Sequence, residues 1–519
     1  MAEPFYITTA INYPNGRPHV GHAYEAIAAD AIARFQRMRG RDVFFQTGTD
    51  EHGLKMAQAA RERGLEPAAF AEEMTGHFRR MDERLDISFD RFIRTTEPAH
   101  HRASEALWQA MAAAGDLYLG RYEGWYSVRD EAYYDEKELV VADSGEKLSP
   151  QGTEVEWTIE ESWFFRLSAY QARLLGHYQA NPGFIRPDSR RNEVLRFVEG
   201  GLSDLSVSRT SFDWGVRVPG SERHVMYVWL DALTNYLTGV GYPDTAAASY
   251  RRFWPADLHL IGKDVVRFHA VYWPAFLMSA GLPLPRQVFG HGWLLSRGEK
   301  MSKSRGNVVD PEALADAFGV DPLRYFLLRE VTFGQDGSYD AEAIVARVNA
   351  DLANSFGNLA QRTLSFIARN CDGILPQSGK RDPADDALLA LIGEVSRRDF
   401  PDHFDGLRLS QAIEGWLKAV FACNQYIDGQ APWALRKADP ERMKAVLATL
   451  YVAIRDLAIV VQPVIPRSAA RLLDAMGVPA GERDYAALAD AGSYDRLAGS
   501  GFRLAPPSPI FPRLEAPAA

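Results

Sequence analysis

The sequence predicts an α/β protein: a parallel-sheet domain, interrupted by an insertion and followed by an α-helical bundle. Three observations carry this. Phe5 to Ile11 is an apolar, β-branched run that reads as a buried strand and stops at Asn12-Tyr13-Pro14-Asn15-Gly16. A helix with an apolar side follows from about Pro18 to Met38, closed by Gly40, and then a second strand-like run, Asp42 to Gln46. Strand, helix and strand at this spacing form a βαβ unit with a parallel sheet. From Ala341 onward a helical period replaces that pattern.

The elements follow in order. The first helix has Ala23, Ile27, Ile32, Phe35 and Met38 on its apolar side. The second strand leads into Thr47-Gly48-Thr49-Asp50-Glu51-His52-Gly53, read as a loop. Ligands on parallel sheets sit at the carboxyl ends of the strands, where this loop and Asn12–Gly16 both lie. From about Gly115 to Val225 aromatics, charges and short β-like runs alternate, which marks an insertion splitting the sheet domain. The α/β pattern resumes near Val228, with a strand at Leu258–Ile261 before Gly262-Lys263-Asp264. In the last part Val345, Val348, Leu352, Phe356, Leu359 and Phe366 form one apolar stripe, and further helices are expected near 387–398, 407–428 and 440–460.

Length and composition bound the class. A chain of 519 residues is too long for one core and implies about three or four domains. No apolar run reaches the roughly 18 residues that span a bilayer, and Met1-Ala2-Glu3-Pro4 does not begin a signal peptide, so a cytoplasmic protein without a membrane role is expected. Only two cysteines occur, Cys371 and Cys423, both expected as buried thiols in helices. Without a CxxC, a cysteine-rich zinc knuckle is excluded. The net charge of -10 argues against a general nucleic-acid coat but not against a selective RNA partner, because local patches set the field at a site.

Two motifs carry chemistry. In Pro18-His19-Val20-Gly21-His22 the histidines are three apart, so both face one side at the first turn of a helix. That end offers N–H groups and partial positive charge to a polyphosphate. Gly21 removes a side chain where a nucleotide must come close. Lys300-Met301-Ser302-Lys303-Ser304 sets two ammonium groups among serines and glycines, able to close over a triphosphate and leave with pyrophosphate. Alone, the first motif also fits surface histidines at a helix start, and the second a solvated basic loop.

In this order and at this separation, the two motifs resemble the ATP-handling signatures of class I aminoacyl-tRNA synthetases. Ala10–Tyr13, Gly48–Gly53, Tyr227–Leu233, and Gly262–Asp264 through His269 to Trp273–Ala275 are each similar to methionyl-tRNA synthetases, in that family's order. The resemblance covers essentially the whole chain. It implies a Rossmann-like catalytic domain in two halves (1–115 and 226–295), a connective insertion (116–225), a KMSKS loop and stem-contact region (296–345), an α-helical anticodon-binding bundle (346–470) and a C-terminal tail (471–519).

It also implies a site. His19, His22, Lys300 and Lys303 would be catalytic. ATP, with Mg²⁺, would be held by Asn15, Gly21, Glu25, Gly262, Asp264, His291 and Lys303. L-methionine would lie against Ala10, Ile11, Tyr13, Trp229, Ala232, Leu233, Tyr236, Val265 and His269, with Asp50 on its ammonium. An aromatic, apolar slot suits a thioether. Methionine tRNA, initiator and elongator, would be read by Asn354, Asn358 and Arg362, a polar stripe at every fourth residue. Trp433, placed in a loop, would stack an anticodon base.

Two departures from relatives stand out. Ser127 and Asp130 occupy positions where zinc-bearing members have cysteines, and the stretch Asp143 to Pro150 supplies no cysteine or histidine, so the knuckle is expected to carry no metal. The chain also stops after Phe511–Glu515 without an appended dimerisation module, so a monomer is expected. Three alternatives stay open. A different class I synthetase would keep both signatures, but the branched-chain enzymes need a larger editing insertion and a cysteine enzyme needs a zinc. A small-molecule nucleotidylyltransferase can share HxGH, but the long helical part argues against it. A non-catalytic RNA-binding relative would have lost His22 or Lys303.

Overall fold

The computed structural model describes residues 2–129, 132–142, 145–296, 298–300, 308–490, 492–504 and 507–515. Its centre is a six-stranded sheet in the order Arg91–Arg94, Asp42–Thr49, Pro4–Thr9, Leu258–Gly262, Val288–His291 and Ile185–Arg186. Every neighbouring pair is parallel, with Ile7 opposite Leu258 and Phe45. The chain winds one way from Pro4–Thr9 and the other way from Leu258–Gly262. The crevice between their carboxyl ends is therefore the topological switch point, where ligands bind on such sheets.

The second strand is longer than expected. Thr47, Gly48 and Thr49 continue it rather than forming a loop. The glycine that suggests a turn is needed inside the sheet, because a Cβ on Gly48 would lie 2.0 Å from the Ile93 carbonyl oxygen.

The first helix, Val20–Met38, buries Ala23, Ile27, Ile32 and Phe35, each worth roughly 1.5–3 kcal/mol for the larger side chains. It ends in a Schellman motif: Gly40 has φ +80°, its N–H meets the Arg37 carbonyl at 2.9 Å, and the Arg41 N–H meets Gln36 at 3.1 Å. The insertion holds an antiparallel sheet, built on the long pair Leu117–Ser127 and Glu156–Phe165 and flanked by Ala132–Tyr134 and Leu205–Ser206, and it also supplies Ile185–Arg186 to the edge of the central sheet.

One apolar core joins the sheet-bearing and helical parts: Ile27 and Phe35 belong to the same cluster as Leu323, Trp416 and Leu457. A fully buried ion pair pins this junction. Arg324 meets Asp30 at 2.6 Å and donates to the carbonyls of Pro463 and Val464. The helical part contains the long helices Leu409–Gln430 and Pro440–Val460, as expected. It also contains Pro466–Ala475, which carries no turn signal strong enough to announce it. The segment after residue 471 is stitched back: Tyr485 N–H donates to Met38, and Leu514 exchanges two hydrogen bonds with the Asn349 side chain. Cys423 is buried in its helix, whereas Cys371 ends a helix and is half-buried, which corrects that expectation. No helix among the described residues is long and apolar enough to cross a membrane.

Candidate active site

His19 and His22 open the first helix as a reciprocal cap. His19 Nδ1 accepts from the Gly21 N–H at 3.1 Å, and His22 Nδ1 accepts from the His19 N–H at 3.0 Å. The rings stack with centroids 3.8 Å apart. An accepting Nδ1 leaves Nε2 as the N–H of each neutral ring, so both present a donor. Gly21 has a more immediate reason than clearance for a nucleotide. A Cβ there would lie 2.8 Å from His19 Cε1 and 2.9 Å from its Nδ1, displacing the capping ring.

A cavity of about 370 Å³ opens beside this cap at the switch point. Its apolar end gathers Ala10, Ile11, Tyr13, Trp229, Ala232, Leu233, Tyr236, Val265 and His269, all nine residues expected there. Trp229 stacks flat on Phe268, 3.8 Å between centroids and 4° between planes. His269 lies in a π-helical turn, Phe268–Tyr272, a distortion that often marks functional sites. Its Nδ1 faces the Val265 carbonyl at 2.9 Å and must carry the hydrogen, so Nε2 accepts from the Tyr236 hydroxyl at 2.7 Å. Burial pushes its pKa down to about 4, so the slot is uncharged at neutral pH. Asp50 lines the same cavity and is only 7% exposed.

The polar end gathers His19, Gly21, His22, Glu25, Gly262, Asp264 and His291. Glu25 reaches from the first helix to His291 at the end of Val288–His291, 2.7 Å away. Burial raises the Glu25 pKa; His291 is raised by the Glu25 bond against the burial that lowers it. Asp264 follows Leu258–Gly262 and stands exposed in the cavity, with Trp293 Nε1 donating to it at 3.4 Å. A Cβ on Gly262 would lie 2.7 Å from the Asp264 carboxylate.

Not every expected residue is gathered here. Asn15 does not line the cavity. Lys300 stands on Glu299–Lys300, which pairs with Leu294–Ser296, and its side chain lies outside what the structure describes. Lys303 lies outside the described residues. The cavity also uses residues that sequence reading missed. Arg129 and Gln151 reach it from the insertion, and Lys55 sits 4.9 Å over the Tyr13 ring. The insertion was legible as such, but nothing local shows that it folds over the sheet.

In the helical part Asn354 is exposed on the π-helical segment Asn349–Gly357, and Asn358 is exposed at the start of the helix Asn358–Asn370. Asn354 accepts from Arg513 at 2.9 Å. Arg362 donates to Asp428 at 2.7 Å and stands 5.5 Å over the Trp433 ring. Trp433 is not in a loop: it is the second residue of the short helix Pro432–Ala438, and 47% exposed. Among the described residues no group of three His, Cys, Asp or Glu side chains is placed to hold a metal ion. In the insertion, Ser127 and Ser149 hydroxyls both bond to the Thr153 hydroxyl, at 2.7 and 2.8 Å. Asp130 and Asp143 lie outside the described residues.

Comparison with known proteins agrees with this geometry. Residues 5–364 match the model of class I (M) tRNA synthetases, and residues 375–516 match the anticodon-binding domain of methionyl-tRNA ligase. The methionine–tRNA ligase of Brucella suis is 58% identical over 518 residues, 98% of each chain. That of Mycobacterium tuberculosis strain H37Rv is 57% identical over 519 residues, 99% of each. A solved M. tuberculosis methionyl-tRNA synthetase in complex with methionyl-adenylate superimposes with a TM-score of 0.94 at 56% identity, covering 98% of this chain and 100% of that one. The free form of the same enzyme gives a TM-score of 0.88 at 53% identity, over 100% and 99%. The switch-point cavity, the double-histidine cap and the helical domain thus sit in a chain that belongs to the methionyl-tRNA synthetase family of class I tRNA ligases.

Proposed function

We propose that the switch-point cavity is where this chain activates L-methionine with ATP and then transfers it to the 3′-terminal adenosine of methionine tRNA, initiator and elongator alike. One observation carries the reading: an uncharged aromatic slot, a buried carboxylate and a double-histidine helix cap share one cavity of about 370 Å³. The thioether fits the slot formed by Tyr13, Trp229, Tyr236 and His269. Asp50 accepts the ammonium. This leaves the methionine carboxylate directed toward the polar end, where Glu25, Asp264 and His291 hold the nucleoside of ATP.

In the first step a carboxylate oxygen of methionine attacks the α-phosphorus in line. The bond to the β-phosphate oxygen breaks, and pyrophosphate leaves. The Nε2–H donors of His19 and His22 stabilise the charge that grows on the α-phosphate. Lys300 and Lys303 neutralise the departing pyrophosphate; ATP enters as its Mg²⁺ complex, the ion being part of the substrate. In the second step a ribose hydroxyl of the tRNA attacks the methionyl carbonyl, and AMP leaves. Positioning and electrostatics supply most of the acceleration.

The helical domain reads the anticodon with Asn354, Asn358 and Arg362, and Trp433 is the stacking platform. Arg362 already lies over that ring, so a base arriving on Trp433 would replace one flat cationic partner with another flat group. The insertion works without zinc, its knuckle closed by the hydroxyls of Ser127, Ser149 and Thr153. The protein acts as a cytoplasmic monomer.

Mixing the protein with ATP and methionine and passing it through a desalting column tests the reading. About one methionyl-adenylate per chain should be retained and should charge added methionine tRNA in a single turnover. If no adenylate forms, the reading fails.

A further inference from the structure

One buried cluster beside the cavity has no part in the chemistry above. Asp231 lies in the first turn of the helix Val228–Thr238, fully buried, and does not line the cavity. An imidazole meets each of its carboxylate oxygens. His52 Nδ1 stands 2.7 Å from Oδ2, and His100 Nε2 stands 2.6 Å from Oδ1. A carboxylate only accepts, so both nitrogens carry hydrogen. Burial opposes the charge on Asp231, yet the two imidazoles hold its carboxyl below the usual range.

The three residues come from three elements. His52 belongs to the loop that also bears Asp50. His100 belongs to the helix Pro98–Ala113. Asp231 belongs to the helix that bears Trp229, Ala232, Leu233 and Tyr236. The loop is otherwise tied to its other neighbours: Asp50 N–H to Asn12 at 2.8 Å, Glu51 N–H to Thr95 at 2.8 Å, and Gly53 N–H to Trp214 at 3.1 Å. The bond from His52 to Asp231 ties it to the helix of the apolar slot.

We propose that Asp231 is a positioning residue that sets the span between the ammonium site at Asp50 and the apolar slot, and so the side-chain length that the pocket accepts. The proposal rests on the methionine reading given above. Its physical basis is that two charge-assisted hydrogen bonds in a dry site are short and directional, and so fix loop against helix more tightly than apolar contact does. Asp231→Asn keeps the shape but removes the carboxylate charge and turns one oxygen into an N–H₂ donor, to which one imidazole can bond only by switching tautomer. Both ties therefore lose their charge assistance.

The test is ATP–pyrophosphate exchange with methionine and with ethionine, which is one methylene longer. For Asp231→Asn the methionine KM should rise about tenfold, the cost of roughly one charged hydrogen bond. The ATP KM should stay within about twofold and kcat within about threefold, because these depend on groups not held by the cluster. The preference for methionine over ethionine in kcat/KM should fall about fivefold, a large part of what one methylene is worth in a pocket. His100→Gln should move both quantities in the same direction by less. A folded Asp231→Asn with unchanged methionine KM and unchanged preference overturns the proposal. So does an equal loss toward methionine and ATP, which would make Asp231 a general structural tie. If Asp231→Asn does not fold, His100→Gln decides by the same two criteria. Wild-type protein without methionine-dependent exchange would instead overturn the underlying methionine reading.

Discussion

Glu25 Oε2 stands 2.7 Å from His291 Nε2, although 266 positions separate them in the chain. His291 Nδ1 faces the Gly292 carbonyl at 2.8 Å, so that nitrogen carries a hydrogen. The other nitrogen shares a proton with the Glu25 carboxylate. Burial raises Glu25, and the Glu25 bond raises His291 although burial alone would lower it. Together they hold their proton to higher pH than an ordinary imidazole would, at the polar end of the cavity.

Glu25→Gln should therefore weaken ATP without touching methionine. The ATP KM should rise about tenfold for one lost charge-assisted bond, with the methionine KM within about twofold. The pH dependence follows from the raised pKa of His291. A raised pair is intact below the ordinary histidine value of about 6.5 and is lost as pH rises through the higher folded value. Wild-type ATP KM should thus stay flat below the ordinary histidine value and climb only at higher pH. In Glu25→Gln burial acts on His291 without the Glu25 charge against it, so the climb should begin at lower pH than in the wild type. Exchange measured against ATP concentration across pH checks both.

Gly21→Ala should cripple activation. The added methyl would lie under 3 Å from two atoms of the His19 ring, so the ring must leave its cap. Losing one oriented donor at the reacting phosphate should slow adenylate formation about a hundred- to thousandfold. Losing the cap should cost about 1 kcal/mol of stability. Stopped-flow activation and a thermal melt on the same preparation separate the two.

Asp82, on the helix Pro67–Arg84, is 1% exposed, and neither carboxylate oxygen has a hydrogen-bond partner among the described residues. Burial, reinforced by the nearby Asp30 charge, pushes its pKa well above the usual range. Its folded pKa exceeds its unfolded one, so stability falls as pH rises through the folded value. Asp82→Leu should raise the melting temperature, more at pH 8 than at pH 5. An equal gain at both pH values would show that the carboxyl does not titrate as described.

The elements that organise the site were legible where one local signal sufficed. The strand ending before Asn12 and the helix starting after His19 follow from β-branched runs, cap and glycine within a few residues of each other. Signals with two meanings misled. Gly48 reads as part of a loop but serves a strand, because its reason is the Ile93 backbone in a neighbouring strand. Trp433 reads as a loop residue, yet Pro432 starts a helix, as proline at the first helical position can. Partnerships across the chain left no local trace. Nothing near Asp231 announces His100, which lies 131 positions away, and nothing near Arg129 announces the cavity it reaches.

Trp433→Ala should leave methionine activation intact and impair charging of tRNA. The residue is exposed on the helical domain and lines no part of the cavity. Losing a stacking platform should cost about 1–3 kcal/mol of tRNA affinity. Exchange without tRNA and charging with tRNA, measured on one preparation, check this. A parallel fall in both would make Trp433 a structural residue of the bundle.

The most direct measurement is ATP–pyrophosphate exchange with each of the twenty standard amino acids in turn. The uncharged slot of Tyr13, Trp229, Tyr236 and His269 above Asp50 predicts fast exchange with methionine alone. Comparable exchange with leucine, isoleucine or cysteine would contradict the assignment of this cavity to methionine.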